Sequence, residues 1–103
     1  MIRIHRLASA EIEAAFVWYL KRSSRVADNF SASLAEAFVL AEAFVKTQHQ
    51  PLLYACFVED YRFIRIRGFT YLVVFSLESD DLIHVYAVTH ESHEQGYWQN
   101  RNL

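Results

Sequence analysis

The sequence predicts an α+β domain: an N-terminal strand, then an antiparallel helical hairpin packed on a mainly antiparallel sheet that ends in a three-strand meander. Three observations carry this prediction. Apolar residues recur at helical spacing through the first half, as in Ala27, Phe30, Leu34, Ala37, Phe38 and Ala41. After Pro51 the composition turns β-branched and aromatic, with such residues making up half of positions 61–90, where two turn signals also stand. The chain has 103 residues and is 53% hydrophobic, so a single domain over 1–103 with one core accounts for all of it.

Ile2 and Ile4 alternate with Arg3 and His5, the period of a short strand with one wet face. From Ser9 the period changes. Ile12, Phe16, Tyr19 and Leu20 trace an amphipathic helix, with Ser9 as its cap and Glu11 and Glu13 in a first turn where the helix dipole favours anions. The polar run Lys21, Arg22, Ser23, Ser24, Arg25 then turns the chain, its cations suited to the end of that helix. A longer helix runs from Ala27 through Val45 and stops before Pro51, because a residue preceding proline is pushed out of the helical region.

Three strands follow: Tyr61 to Arg67, Tyr71 to Leu77 and Leu82 to Thr89, joined by a turn at Gly68 to Thr70 and an acidic turn at Glu78 to Asp81. Tyr71 to Phe75 is apolar on both faces, which marks a central strand rather than an edge. Residues 91–103 are polar except for Gly96, Tyr97, Trp98 and Leu103, and read as a tail or short helix held down by its aromatics, a packing role for Tyr97 and Trp98.

The net charge of -2 gives no general attraction for phosphate backbones or anionic membranes, so any nucleic-acid contact has to be local. Cys56 is the one cysteine; it cannot form an internal disulfide, has no cationic neighbour to activate it, and suits a reducing cytosol. The first residues lack the succession of a signal peptide, and the longest apolar runs fall well short of the ~20 residues a membrane helix needs. A cytoplasmic protein with no membrane partner is expected. Glycine is too rare for a phosphate-cradling loop and no serine stands in a Gly-x-Ser-x-Gly setting, which makes hydrolases and nucleotide-binding enzymes poor candidates; no cofactor is expected.

Arg62, Arg65 and Arg67 form the best local cationic cluster, and strand alternation places Arg65 and Arg67 on one face with Arg62 on the other. They can grip a phosphate or a protein target, or be solvated arginines paired with Glu59, Asp60 or the acidic turn. His90 and His93, followed by Tyr97, have the chemistry for proton transfer near neutral pH, while Glu91 and Glu94 would repel a phosphate. His90-x-x-His93 with Glu94 supplies ligand types but no third ligand at a recognised spacing, so no metal is expected.

The run from Tyr61 to Phe75, with its arginines, its turn at Phe69, Thr70, Tyr71 and its central strand, resembles the corresponding segment of RelE/ParE family toxins. Ala87, Val88, Thr89, His90 and then Gly96, Tyr97, Trp98 resemble the last strand and ending of that family, and Ala8, Glu11, Ile12, Ala15, Trp18, Tyr19, Phe30 and Leu34 fit its two helices. The likeness spans nearly the whole chain. It implies a RelE/ParE-like fold and a toxin of a type II toxin-antitoxin module, bound and neutralised by a cognate antitoxin.

The resemblance implies at least two mechanisms: ribosome-dependent cleavage of mRNA, as in RelE-like members, and poisoning of DNA gyrase, as in ParE-like ones. The Tyr97, Trp98 ending and the acidic balance place this chain nearer the ParE side, inhibiting gyrase by protein binding, with Arg62, Arg65 and Arg67 as target contacts. The alternative is an endoribonuclease using His90, His93 or Tyr97 for proton transfer, with the ribosome and mRNA as partners. A third reading is a non-toxic relative acting only in complex with the antitoxin. A homodimer and a toxin–antitoxin hetero-oligomer both stay open.

Overall fold

The computed structural model describes residues 1–47, 61–79, 82–93 and 96–101. In chain order these form β1 (Ile2–Ile4), α1 (Arg6–Leu20), α2 (Ser24–Thr47), β2 (Arg62–Arg65), β3 (Tyr71–Ser79), β4 (Leu82–His90) and a closing 3-10 helix, Tyr97–Asn100. The sheet order is β1-β4-β3-β2. The meander β2-β3-β4 is antiparallel, and β1 joins it in parallel on the far side of β4, with Ile2 opposite Ile83 and Ile4 opposite Val85. This is the expected α+β, RelE/ParE-like arrangement.

The helices cover one face of the sheet. Ala8 and Ala15 of α1 and Phe30, Leu34, Ala37 and Ala41 of α2 close over Ile64, Val73, Phe75, Ile83, Val85 and Val88. At its centre Phe30 packs edge-on against Phe69 with ring centroids 5.2 Å apart, while Tyr19 lies 5.3 Å from Phe30 and 5.1 Å from Phe69. A smaller cluster fills the opposite face, where Phe63, Leu72, Val74 and Ala87 are roofed by Trp98.

Two irregularities shape β4. Phe75 pairs with Val85 but Val74 pairs with Ala87, so Tyr86 is the extra residue of a bulge. The bulge shifts the alternation by one, which brings Val88 rather than Ala87 to the helix-covered face. Further along, β1 ends at Ile4 while β4 continues to His90, leaving an uncovered strand edge that must find side-chain partners.

Helix α1 starts earlier than the sequence predicts. His5 Nδ1 accepts the Leu7 N–H at 3.0 Å, so the imidazole takes the capping role expected of Ser9, whose own N–H bonds back to the His5 carbonyl at 3.0 Å. The cause lies in the sheet: the His5 N–H donates to the Val85 carbonyl at 2.9 Å, which fixes the chain where β1 ends and lets the helix begin at once. Glu11 therefore sits in the helix interior rather than its first turn. For α2, Ser23 Oγ accepts the Val26 N–H at 3.3 Å and acts as the cap.

The β2–β3 connection tightens through a Phe69 N–H to Ile66 carbonyl bond of 3.0 Å, with Gly68 at φ +84°, a conformation open to glycine without a Cβ penalty. Strand β2 is shorter than the predicted Tyr61 to Arg67, whereas β3 and β4 extend past Leu77 and Thr89. The predicted helix stop at Pro51, Cys56, Glu59, Asp60, the tip of the acidic turn at 80–81 and Glu94 lie outside the described residues. Among the described residues no helix is long and apolar enough to cross a membrane.

Candidate functional site

Arg65, Arg67 and His90 lie around the end of β4 and the β2–β3 turn, whereas Arg62 stands at the other end of β2. Two cross-links join these segments: Arg65 Nη2 pairs with Glu91 Oε2 at 2.5 Å, and Thr70 Oγ1 meets His90 Nε2 at 2.9 Å. The Glu91 N–H also donates to the Thr70 carbonyl at 2.8 Å, which continues the ladder past the end of the strands.

The arginines part company. Arg65, opposite Leu72, faces away from the helices, whereas Arg62, opposite Phe75, shares the helix-covered side. Arg67 does not join Arg65, because β2 ends at Arg65 and the turn swings Arg67 back to Glu36 of α2, 2.6 Å away. Alternation holds only inside a strand, and the expectation that Arg65 and Arg67 share a face fails at that boundary. Arg62 Nη1 donates to the Tyr61 carbonyl at 3.2 Å.

Both ring nitrogens of His90 are engaged. Nδ1 accepts the Ser92 N–H at 3.1 Å and lies 2.7 Å from Ser92 Oγ, which leaves Nε2 carrying the proton toward Thr70 when the ring is neutral. The ring also meets the edge of Tyr71 at 5.3 Å. His93 is exposed and lies against Tyr97 with ring centroids 4.4 Å apart, so the structure brings these two together and keeps His90 in a different network.

Tyr97 belongs to a hub that the sequence barely announces. Its phenol donates to Glu11 Oε2 at 2.6 Å, and Arg101 grips the same carboxylate with Nη1 at 3.1 Å and Nη2 at 3.0 Å. Glu11 Oε1 takes the Val88 N–H at 3.0 Å, while Arg101 Nη1 donates to the Tyr86 carbonyl at 2.8 Å. One carboxylate and one guanidinium thus satisfy the edge of β4 beyond the end of β1, and tie the C-terminal segment to α1 across it. Burial, reinforced by donation to Glu11, pushes the Tyr97 phenol up to about 12, so it remains a protonated donor at neutral pH. Trp98 is fully buried on the helix-free face, 0% exposed, with its ring 5.6 Å from that of the equally buried Phe63.

A second group that sequence reasoning passed over lies near the start of β4. His84, 1% exposed, places Nδ1 2.9 Å from Glu78 Oε1, and its ring sits 3.9 Å from Tyr86 and 6.2 Å from His5. Burial holds its pKa below the usual histidine value against the pull of the Glu78 hydrogen bond, while that hydrogen bond holds Glu78 below the usual carboxylate range. Both folded-state values are depressed, so the unfolded chain binds more protons as pH falls. We predict stability that is full above the ordinary histidine value of 6.5 and declines as pH drops through the folded value of His84, then further as Glu78 protonates below 4.5. Urea midpoints at a series of pH values, for the native chain and His84→Gln, check this; equal slopes between pH ~7 and ~5 in both would contradict it.

Among the described residues no group of three or more His, Cys, Asp or Glu is placed to hold a metal ion.

Residues 2–95 match the ParE toxin of type II toxin-antitoxin systems. The chain belongs to the ParE toxin family. The match runs from β1 through β4 and stops short of the 3-10 helix, so the Arg65–Glu91 and Thr70–His90 cross-links lie inside it and Tyr97, Trp98 and Arg101 just beyond. A search among curated proteins finds no match. As a member of the family the chain is a toxin of a type II module, and the family implies an antitoxin partner.

Proposed function

We propose that this ParE-family toxin arrests growth by binding DNA gyrase as a protein, without a cofactor, in the cytosol, and that a cognate antitoxin holds it inactive. The observation that carries the reading is the engagement of His90, Tyr97, Arg65 and Arg67, four of the groups proposed for RNA chemistry. His90 is closed between Thr70 and Ser92, Tyr97 donates to Glu11, and Arg65 and Arg67 each face a carboxylate. A phosphate approaching Arg65 would have to displace Glu91. For cleavage, a base and a cation must converge on one phosphate, and here the two arginines with carboxylate partners point to opposite sides of the turn. What favours protein binding is that such a surface needs no free base. Arg67, exposed and bonded to Glu36 through Nη2, keeps further N–H groups for a target's carboxylate, and the antitoxin fits as a helix in a groove or an added strand.

Pulse-labelling of protein synthesis within minutes of inducing the chain without its antitoxin tests the choice. Growth arrest with continued labelling is the expected result. A prompt fall in labelling would make translation the target and favour the endoribonuclease alternative.

A further inference from the structure

We propose that the outer face of α1 is an interface between two copies of this chain. Helix α1 carries two apolar stripes. One, with Ala8, Ile12, Ala15, Phe16 and Tyr19, packs into the core. The other points outward: Ala10, Ala14, Val17 and Trp18 line an open groove of about 480 Å³, bounded by Glu13 and Lys21. Trp18 is 51% exposed and Val17 37%, a large apolar surface on a helix whose core-facing side is already satisfied. The indole is held in place: Arg22 lies 3.5 Å over its ring and donates to the Trp18 carbonyl at 2.8 Å.

The charges choose the occupant. Glu13 and Lys21 stand four residues before and four after Val17, and among the described residues neither has an ion-pair partner. They are about 12 Å apart along the helix, too far to pair with each other. A partner helix complements both when it presents a cation and an anion at the same separation and in reversed order. A second α1 laid antiparallel across a two-fold axis at Val17 does this with its own sequence, setting each Glu13 level with the Lys21 of the other copy. Trp18, one residue past the axis, lies on the same flank in both copies, so the two indoles meet beside it while Ala10 and Ala14 let the backbones approach. A single helix pair of this length falls at the small end of specific interfaces, below about 1,200 Å², so the dimer is a concentration-dependent one.

Sedimentation equilibrium of the full chain over a wide concentration range, with Trp18 emission followed in parallel, tests the proposal. The average mass should rise toward that of a dimer as concentration increases, with a blue shift of the emission. Glu13→Lys and Lys21→Glu should each weaken dimerisation about tenfold, since either reversal turns two attractive contacts into repulsive ones. An equimolar mixture of the two variants should recover it, because every contact in the mixed dimer is again between opposite charges. A monomer at all concentrations would overturn the proposal. So would a dimer indifferent to both reversals, which would place the interface elsewhere, or a mixture no stronger than its components, which would mark this face for a different partner.

Discussion

Replacing Glu11 with Ala lowers the unfolding free energy by about 3 kcal/mol, measured by urea denaturation, because it strands a largely buried guanidinium and a backbone N–H together. Arg101 is only 12% exposed in its side chain and Glu11 24%, so water does not easily replace the lost carboxylate. The Val88 N–H and the Tyr97 phenol lose their acceptor in the same step. Glu11→Gln keeps one oxygen acceptor and the volume, and its loss is expected to be roughly half as large. A loss below about 1 kcal/mol for the alanine variant would show that the hub adds little. The same contacts give a signature at high pH. The folded phenol of Tyr97 titrates near 12 against an ordinary value of 10.0, so its contribution is complete below 10.0 and disappears as pH rises through the folded value.

Trp98→Ala costs more, about 3–5 kcal/mol, because it removes the largest fully buried side chain and opens the cluster on the helix-free face. Phe63, Leu72, Val74 and Ala87 would lose their cover. For a domain of ordinary stability, about 5–15 kcal/mol, this leaves little margin, and the variant should melt well below the native chain. Trp98→Phe separates packing from polarity. The ring and most of the area stay, while the indole Nε1, which has no hydrogen-bond partner among the described residues, is removed, so the expected loss is under about 2 kcal/mol. Thermal melts followed by circular dichroism decide the matter, and equal melting temperatures for native chain and alanine variant would refute the role given to this residue.

Features that depend on period were legible in the sequence. The stripe from Ala27 to Ala41 buries where its spacing says it must, and Val73, Val74 and Phe75 are buried on both faces of the sheet as their unbroken apolarity requires. The packing of Trp98 was legible from its setting in a polar tail. What stayed hidden depends on distant contacts. Glu11 reads as a first-turn acid until the structure shows His5 capping the helix and Glu11 reaching partners 77, 86 and 90 residues away. The parallel place of β1 beside β4 leaves no local trace, yet it decides where an uncovered edge begins and hence why Arg101 is needed. His84 is one polar residue in a largely apolar strand and gives no signal of its own, and only the fold shows it buried beside Tyr86 and His5. The separation of Arg65 from Arg67 follows from the strand ending two residues earlier than propensity suggests.

As proposed, the toxin acts on gyrase by binding, and neither His90 at the end of β4 nor His93 just beyond it has a catalytic part. A supercoiling assay with purified gyrase tests it most directly, comparing the native chain with a His90→Ala, His93→Ala double variant of confirmed fold. Inhibition by both at similar concentrations is the expected result. Supercoiling untouched by the native chain would contradict it.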